Sequence, residues 1–353
     1  MKSYELKKLN ITNSVFLLTS PIIAILGTLL WLYVDGFSWE ILGLAFVFYI
    51  LTGMGITAGY HRLFAHRAYK ANSIMKVLYL IFGGCALQNS ALKWCNDHRV
   101  HHGKVDTEED PYNINEGFFY AHMGWILLQE NIEDYRYSKD LLKDPLVMLQ
   151  HKFYLPMIVV FGFLLPAIIG HIFFDSFLGG LFVAGFLRVV VVHHATFFIN
   201  SLCHMVGNRP YDKEQTARDS WLMAFFTFGE GYHNFHHTFQ ADYRNGIKAY
   251  HFDPTKWLIK SLSYIGFTSG LRVTREEIIL EKKIRAELKD IENQTTFTDK
   301  VNEKVENLKD ELNQILEELQ VQSRDNKDKL VARLDEMMSE IKGLSLQLEL
   351  VHA

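Results

Sequence analysis

Residues 41–66 read ILGLAFVFYILTGMGITAGYHRLFAH. The first part, 41–60, carries no charge and matches the roughly twenty apolar residues a helix needs to cross a bilayer. It runs straight into His61 and His66. Three further runs have the same character: 15–34, 154–174 and 177–198. The turns at 35–40 and at Asp175-Ser176 are short and hold no basic residue. The expected fold class is therefore all-α, an integral membrane protein with four transmembrane helices in two hairpins. The first run starts inside the chain with no small-residue cleavage site after it, so it is not read as a signal peptide. Lys2, Lys7 and Lys8 precede the first helix, and Arg62, Arg67 and Lys70 follow the second. The positive-inside rule then places both termini and the long connections in the cytosol. A fifth apolar run, 77–88, is too short to span and reads either as an interfacial helix or as a buried core helix.

The 353 residues carry 36 basic and 40 acidic side chains, so no basic surplus points to nucleic acid. Cys85, Cys95 and Cys203 are too few and scattered for a disulfide scaffold. Charge is unevenly spread. Residues 275–353 alone hold 13 basic and 19 acidic residues. There Val301, Val305, Leu308, Leu312, Ile315 and Leu319 alternate spacings of four and three, the seam of a coiled coil. The pattern fails at 323–329 and resumes, shifted, at Leu330, Leu334, Met337, Ile341, Leu344, Leu348 and Val351. This suggests a helical hairpin or two packing segments; a solvated amphipathic helix is the plainer alternative. The expected division is a membrane domain, 1–272, and a charged helical coiled-coil-like tail, 273–353, through which self-association is possible.

Sixteen histidines are the strongest signal. Four clusters stand out: HRLFAH (61–66), HRVHH (98–102), NSLCH (200–204) and HNFHH (233–237). Residues three and four apart share one face of a helix, so each HxxHH group converges its imidazoles. His61 and His66, five apart, fit a helix end where the last turn loosens. Every cluster sits at or just outside a predicted membrane boundary. Imidazole is the commonest protein ligand for iron, zinc, copper and nickel. Nine imidazoles exceed what one ion can hold, so two ions are implied. No Glu-x-x-His pair of the carboxylate-bridged kind accompanies the clusters. A histidine-rich pair of irons with open positions suits dioxygen activation, while zinc and copper stay open on composition alone.

HRLFAH, HRVHH and HNFHH, in this order around two hairpins, resemble the membrane fatty-acid desaturase family, and the match is close to its acyl-CoA Δ9-desaturase (stearoyl-CoA desaturase) type. GITAGYHRLFAHRAYKA (55–71), the run from Asp97 to Gly103 leading to Asp110-Pro111, NRPYDK (208–213) and GEGYH (229–233) add to the likeness, which covers about 10–272. The resemblance implies two iron ions held by His61, His66, His98, His101, His102, His204, His233, His236 and His237, with Asn200 completing the shell through water. It further implies O2 as oxidant, insertion of a cis double bond into a saturated acyl chain, and a fatty acyl substrate with acyl-CoA favoured. Acyl-carrier-protein and phospholipid esters come behind it. No haem- or flavin-binding pattern is visible, so a separate electron donor (ferredoxin, cytochrome or reductase) is expected. Rival readings are a membrane hydroxylase, a metal-transport or metal-sensing protein, and an assembly protein defined by its tail.

Gln88, Trp94 and Thr196 match family positions at the bend of the acyl tunnel, and Phe197 stands where the family usually has Trp. Asp97, Asp106, Asp110 and Glu230 are candidates for orienting the imidazoles. His122 matches a family position with a supporting role. His193 and His194 lie in the fourth helix, where an ionisable group is expensive. His151, His171, His251 and His352 are read as incidental. The likeness breaks where animal acyl-CoA members carry a basic pair after Gly-Trp: here Gly124-Trp125 leads to Gln129-Glu130, with Glu116 nearby. Stepping back from His61 by fours gives Thr57, Gly53 and Tyr49 on one helix face, with Tyr49 about 18 Å along the axis. If the acyl tail follows this face, Tyr49 closes the tunnel and Gly53 leaves it open.

Overall fold

The computed structural model describes residues 9–128, 134–293, 299–321 and 324–352. Lys2, Lys7, Lys8, Gln129 and Glu130 lie outside the described residues, as does the side chain of His352. Among the described residues, four helices are long and apolar enough to cross a membrane: α1 (Ile11–Val34), α2 (Trp39–Ala65), and later Tyr154–Phe174 and Gly179–His204. Asn10 and Ser38 cap α1 and α2 by accepting from the backbone N–H of Asn13 and Ile41. The two short turns meet at one end, where Ser176 Oγ donates to Asp35 at 2.5 Å. All four histidine clusters lie at the other end or beyond it.

Spans two and four are longer than their apolar runs, because the histidine-bearing turns continue them. Through Gly55–Ala65 the turns of α2 widen to i→i+5 hydrogen bonds, ending with His66 N–H on His61 C=O at 3.0 Å. That widening puts residues five apart on one face. Small residues let the neighbouring backbone approach: a Cβ on Gly55 would meet Gly83 N at 2.3 Å.

The fifth apolar run forms α3 (Ser73–Gly84), which starts earlier than expected at an Asn72 cap and stops at Gly84. One face, with Met75, Tyr79 and Leu80, is buried; Ile74, Val77 and Leu78 are exposed. It is a half-exposed helix packed on α2, and residues 85–89 leave it as a loop. A Ser90 cap then opens α4 (Ala91–Lys104), which carries the HRVHH box. Next come α5 (Pro145–Lys152), α6 (Tyr154–Phe174) and α7 (Gly179–His204). The short α8 (Trp221–Phe226) exposes Trp221, Leu222, Phe225 and Phe226. It rises beside α2 to the level of Tyr49, whose hydroxyl reaches Phe226 C=O at 3.5 Å. HNFHH forms α9 (His233–Thr238), followed by α10 (Pro254–Tyr264).

The tail is three helices, α11 (Glu276–Asn293), α12 (Asp299–Val321) and α13 (Arg324–His352). The expected seam is buried within the chain: Leu308, Leu312, Ile315 and Leu319 pack with Leu280, Ile284, Leu288 and Ile291 of α11 and with Leu330, Leu334, Met337 and Ile341 of α13. The first helix of this bundle escaped the heptad reading, and it belongs to two cores. Ile279 packs with Tyr211, Phe235 and Phe239, beneath the HNFHH box. Arg62, counted above among the charges flanking the second helix, is buried at 1% exposure between Glu230 and Asp253. It is a structural cation, and Arg67 and Lys70 are the exposed ones.

Candidate metal centre

Nine histidines from four elements converge in two groups. His61, His66, His98, His102 and His236 form one; His101, His204, His233 and His237 form the other, and within each group the candidate ligand atoms lie within 4.8 Å of one another. The widened turns of α2 supply His61 and His66. The end of α7 supplies His204. Each HxxHH box divides between the groups. First and last residues (98 and 102, 233 and 237) serve one group, and the middle ones, His101 and His236, reach across to the other.

On four of the nine rings the other nitrogen faces a partner that can hold the tautomer. His101 Nδ1 lies 2.8 Å from Asp110 Oδ1, and His61 Nδ1 lies 2.9 Å from Glu230 Oε2. His204 Nδ1 meets Thr216 Oγ1 at 2.8 Å, and that hydroxyl donates to Asp106 at 2.6 Å. His98 Nδ1 is 3.2 Å from the Tyr112 hydroxyl. A proton kept on Nδ1 leaves the Nε2 lone pair facing inward. Nε2 atoms then approach in pairs, His66 to His98 at 2.8 Å and His233 to His204 at 3.1 Å. Burial, and next the neighbouring rings, push His66, His98, His102, His233, His236 and His237 well below the ordinary imidazole value, so they are neutral. Inward lone pairs on buried neutral imidazoles repel unless a cation sits among them. The donor set therefore fits metal ions.

Of the four carboxylates singled out, Asp110 and Glu230 touch ligand rings directly, Asp106 acts through Thr216, and Asp97 takes Lys93 Nζ at 2.6 Å on a cavity wall. Burial raises the Glu230 carboxyl, but Arg62 and then His61 outweigh it and hold it at about 2. Arg62 in turn donates to both Glu230 and Asp253. Thr216, Tyr112 and Asp253 were not singled out from the sequence. Tyr112 follows the Asp110-Pro111 pair closely enough to have been suspected; nothing marks the other two.

A cavity of about 340 Å³ opens beside the first group, touching His61, His98 and Glu230. Gln88, Trp94, Thr196, Phe197 and Asn200 line it. A small void lined by Gly53, Ile56, Thr57, Thr196 and Phe228 adjoins it, sharing Ile56, Thr57 and Thr196. Tyr49 stands behind Phe228. His122 bonds Ser201 Oγ and His194 Nδ1, each at 3.0 Å, and burial lowers it to about 4. His151 meets Ser90 Oγ at 2.6 Å, His251 stacks on Tyr232, and His171 is exposed. Glu116 is exposed in a turn at 114–116.

Four spanning helices above two buried histidine groups define a multi-pass membrane protein with a histidine-box metal-binding site. The chain belongs to the fatty acid desaturase family, whose model matches residues 37–264. It is 44% identical over 247 residues to acyl-CoA desaturase 1 of Saccharomyces cerevisiae (69% of this chain, 48% of that protein). It is 40% identical over 267 residues to a probable acyl-CoA desaturase of Schizosaccharomyces pombe (75% of this chain, 55% of that protein). A Δ9-fatty-acid desaturase of Caenorhabditis elegans, fat-7, is 36% identical over 248 residues (69% and 73%). The chain thus spans about half the length of the two fungal relatives.

Proposed function

We propose that the chain is an oxygen-dependent acyl desaturase that places a cis double bond, at Δ9, in a saturated fatty acyl chain, with acyl-CoA as the favoured substrate. The observation that carries this reading is the apolar cavity opening on His61 and His98 of a nine-histidine, two-group centre. Relatives named acyl-CoA desaturases and Δ9-fatty-acid desaturases support the substrate class. The nine histidines are read as ligands of two irons, with Asn200 beside them through water. When bound and reduced, iron supplies the dioxygen chemistry that removes two hydrogens from adjacent methylenes. The chain's own residues do the rest. Asp110, Glu230 and Thr216 hold ring tautomers and orientations, while Trp94, Ile56, Thr196 and Phe197 hold an apolar chain against the first group and keep water away. Two electrons come from a separate donor, a ferredoxin, cytochrome or reductase. We place both termini and the metal centre on the cytosolic side, in line with exposed Arg67 and Lys70 at the histidine end.

Domain division at about 272 remains our reading, with α11 shared. Self-association through the tail would need a surface other than the buried seam. A transport function is disfavoured because the nine converging histidines gather at one end of the helices and do not line a path through the membrane interior. Expression in cells unable to make unsaturated fatty acids tests the proposal, with double-bond position read by mass spectrometry and His236→Ala as control. A hydroxylated product instead of an unsaturated one would assign the chain to hydroxylation.

A further inference from the structure

Arg188 lies within the spanning helix α7 and is 2% exposed. A charged side chain at such a position is costly and calls for a reason. Its acceptors are uncharged: Nη1 donates to Cys85 C=O at 2.5 Å and to Thr52 Oγ1 at 3.4 Å, Nη2 to Gly162 C=O at 2.9 Å, and Nε to Ala184 C=O at 3.2 Å. One of these carbonyls has no backbone donor of its own. Cys85 follows the last turn of α3, where carbonyls lack partners and the helix dipole favours a cation. Five residues along α7, His193 Nε2 donates to Ala86 C=O at 2.8 Å. Two side chains of one helix thus grip two successive carbonyls.

The loop they grip is strained. Leu87 has φ 56° and Asn89 φ 76°, both left-handed and neither glycine. Such a backbone persists only where the surroundings over-determine it. Leu87, Gln88 and Asn89 line the cavity. Gln88 Nε2 donates to Thr196 Oγ1 at 2.9 Å, and Trp94 Nε1 donates to Gln88 Oε1 at 3.2 Å. Trp94 stacks on His98 with centroids 4.9 Å apart. A continuous set of contacts therefore runs from Arg188 and His193, through the loop and Gln88, to a ring of the metal centre.

We propose that Arg188 and His193 are positioning residues: by holding Cys85 and Ala86 they lock the 85–89 loop so that Gln88 spans Thr196 and Trp94, and this fixes which carbon pair of the bound chain faces the metals. The inference rests on the desaturase reading above.

The test uses the full chain in membranes with one saturated acyl substrate, reading double-bond position and metal per chain. Wild type is expected to give one regioisomer. Arg188→Met and His193→Leu are expected to raise off-position product at least tenfold with metal content unchanged. Arg188→Lys should fall between, and Gln88→Ala should match the first two. A merely structural role would lower yield or rate and leave regiochemistry alone; that result in both variants overturns the inference. If Arg188→Met fails to accumulate, His193→Leu decides. Wild type without unsaturated product would overturn the desaturase reading and this inference together.

Discussion

The rings of Tyr49 and Phe228 lie 5.1 Å apart and tilted by 40°, with Phe228 on the side of the small void. A Cβ on Gly53 would meet the Phe228 ring at 2.4 Å. The Phe228 backbone has φ 56°, and its carbonyl accepts from Thr255 Oγ1 at 2.9 Å, so the ring is held in place. If the acyl chain runs past Gly53, Phe228 would end its route, with Tyr49 as backing. Phe228→Ala should admit acyl chains longer by about two carbons, and Tyr49→Ala should do so more weakly. Gly53→Ile should shift preference to shorter chains. Competition assays with mixed acyl lengths check all three; an unchanged length profile would rule this face out.

Asp110→Asn and Glu230→Gln remove the charge that holds His101 and His61 in their tautomers. Each should weaken metal retention about 10–100-fold. Chelator competition followed by metal analysis reads this directly. Thr216→Val, which breaks the relay from Asp106 to His204, should act in the same direction.

Burial raises the Asp219 carboxyl from its ordinary 3.8 to about 7, against the backbone N–H groups of Phe235 and Asn234 that favour its charged form. The folded state thus binds the proton more tightly than the unfolded one, so stability falls as pH rises from about 4 to about 7. Above that range the whole cost applies. Asp219→Asn should leave the melting temperature near wild type at pH 4 and raise it by a constant amount above pH 7. Melts of the two proteins across that range give the difference. A difference independent of pH would show that Asp219 is not the group responsible.

Leu312 is fully buried in the tail, and Leu312→Asp should cost the bundle on the order of 4 kcal/mol or more. Metal content should not change. Ile279→Asp strikes the packing on Phe235, inside the HNFHH box, and should lower metal content. Limited proteolysis and metal analysis separate the two effects. Loss of metal in Leu312→Asp would place the entire tail inside the metal domain.

Apolar length and histidine spacing made the four spans and eight of the nine converging rings legible, because both are local properties of the chain; His204, with no histidine at helical spacing, entered through the family resemblance. The split of each box was not legible: residues 98, 101 and 102 share a helix face by spacing, and only the partner helices decide which group each joins. Arg62 looked like a flanking charge because its partners, Glu230 and Asp253, lie 168 and 191 residues away. Phe228 was missed for the same reason. Its segment reaches α2 through tertiary contacts, and no periodicity announces it. α11 holds a single four-three step, Ile284-Leu288-Ile291, too short to announce the seam that α12 and α13 repeat, and its Ile279 serves a second core.

Because α4 and α9 each send ligands to both groups, neither group can be completed without seating a helix that also serves the other. If each group holds an ion, as proposed above, the first to enter would orient a helix that the second needs. Loading should then be sigmoidal with added metal, and singly occupied protein should be scarce at half saturation. A defect in one imidazole of either box would empty two sites at once.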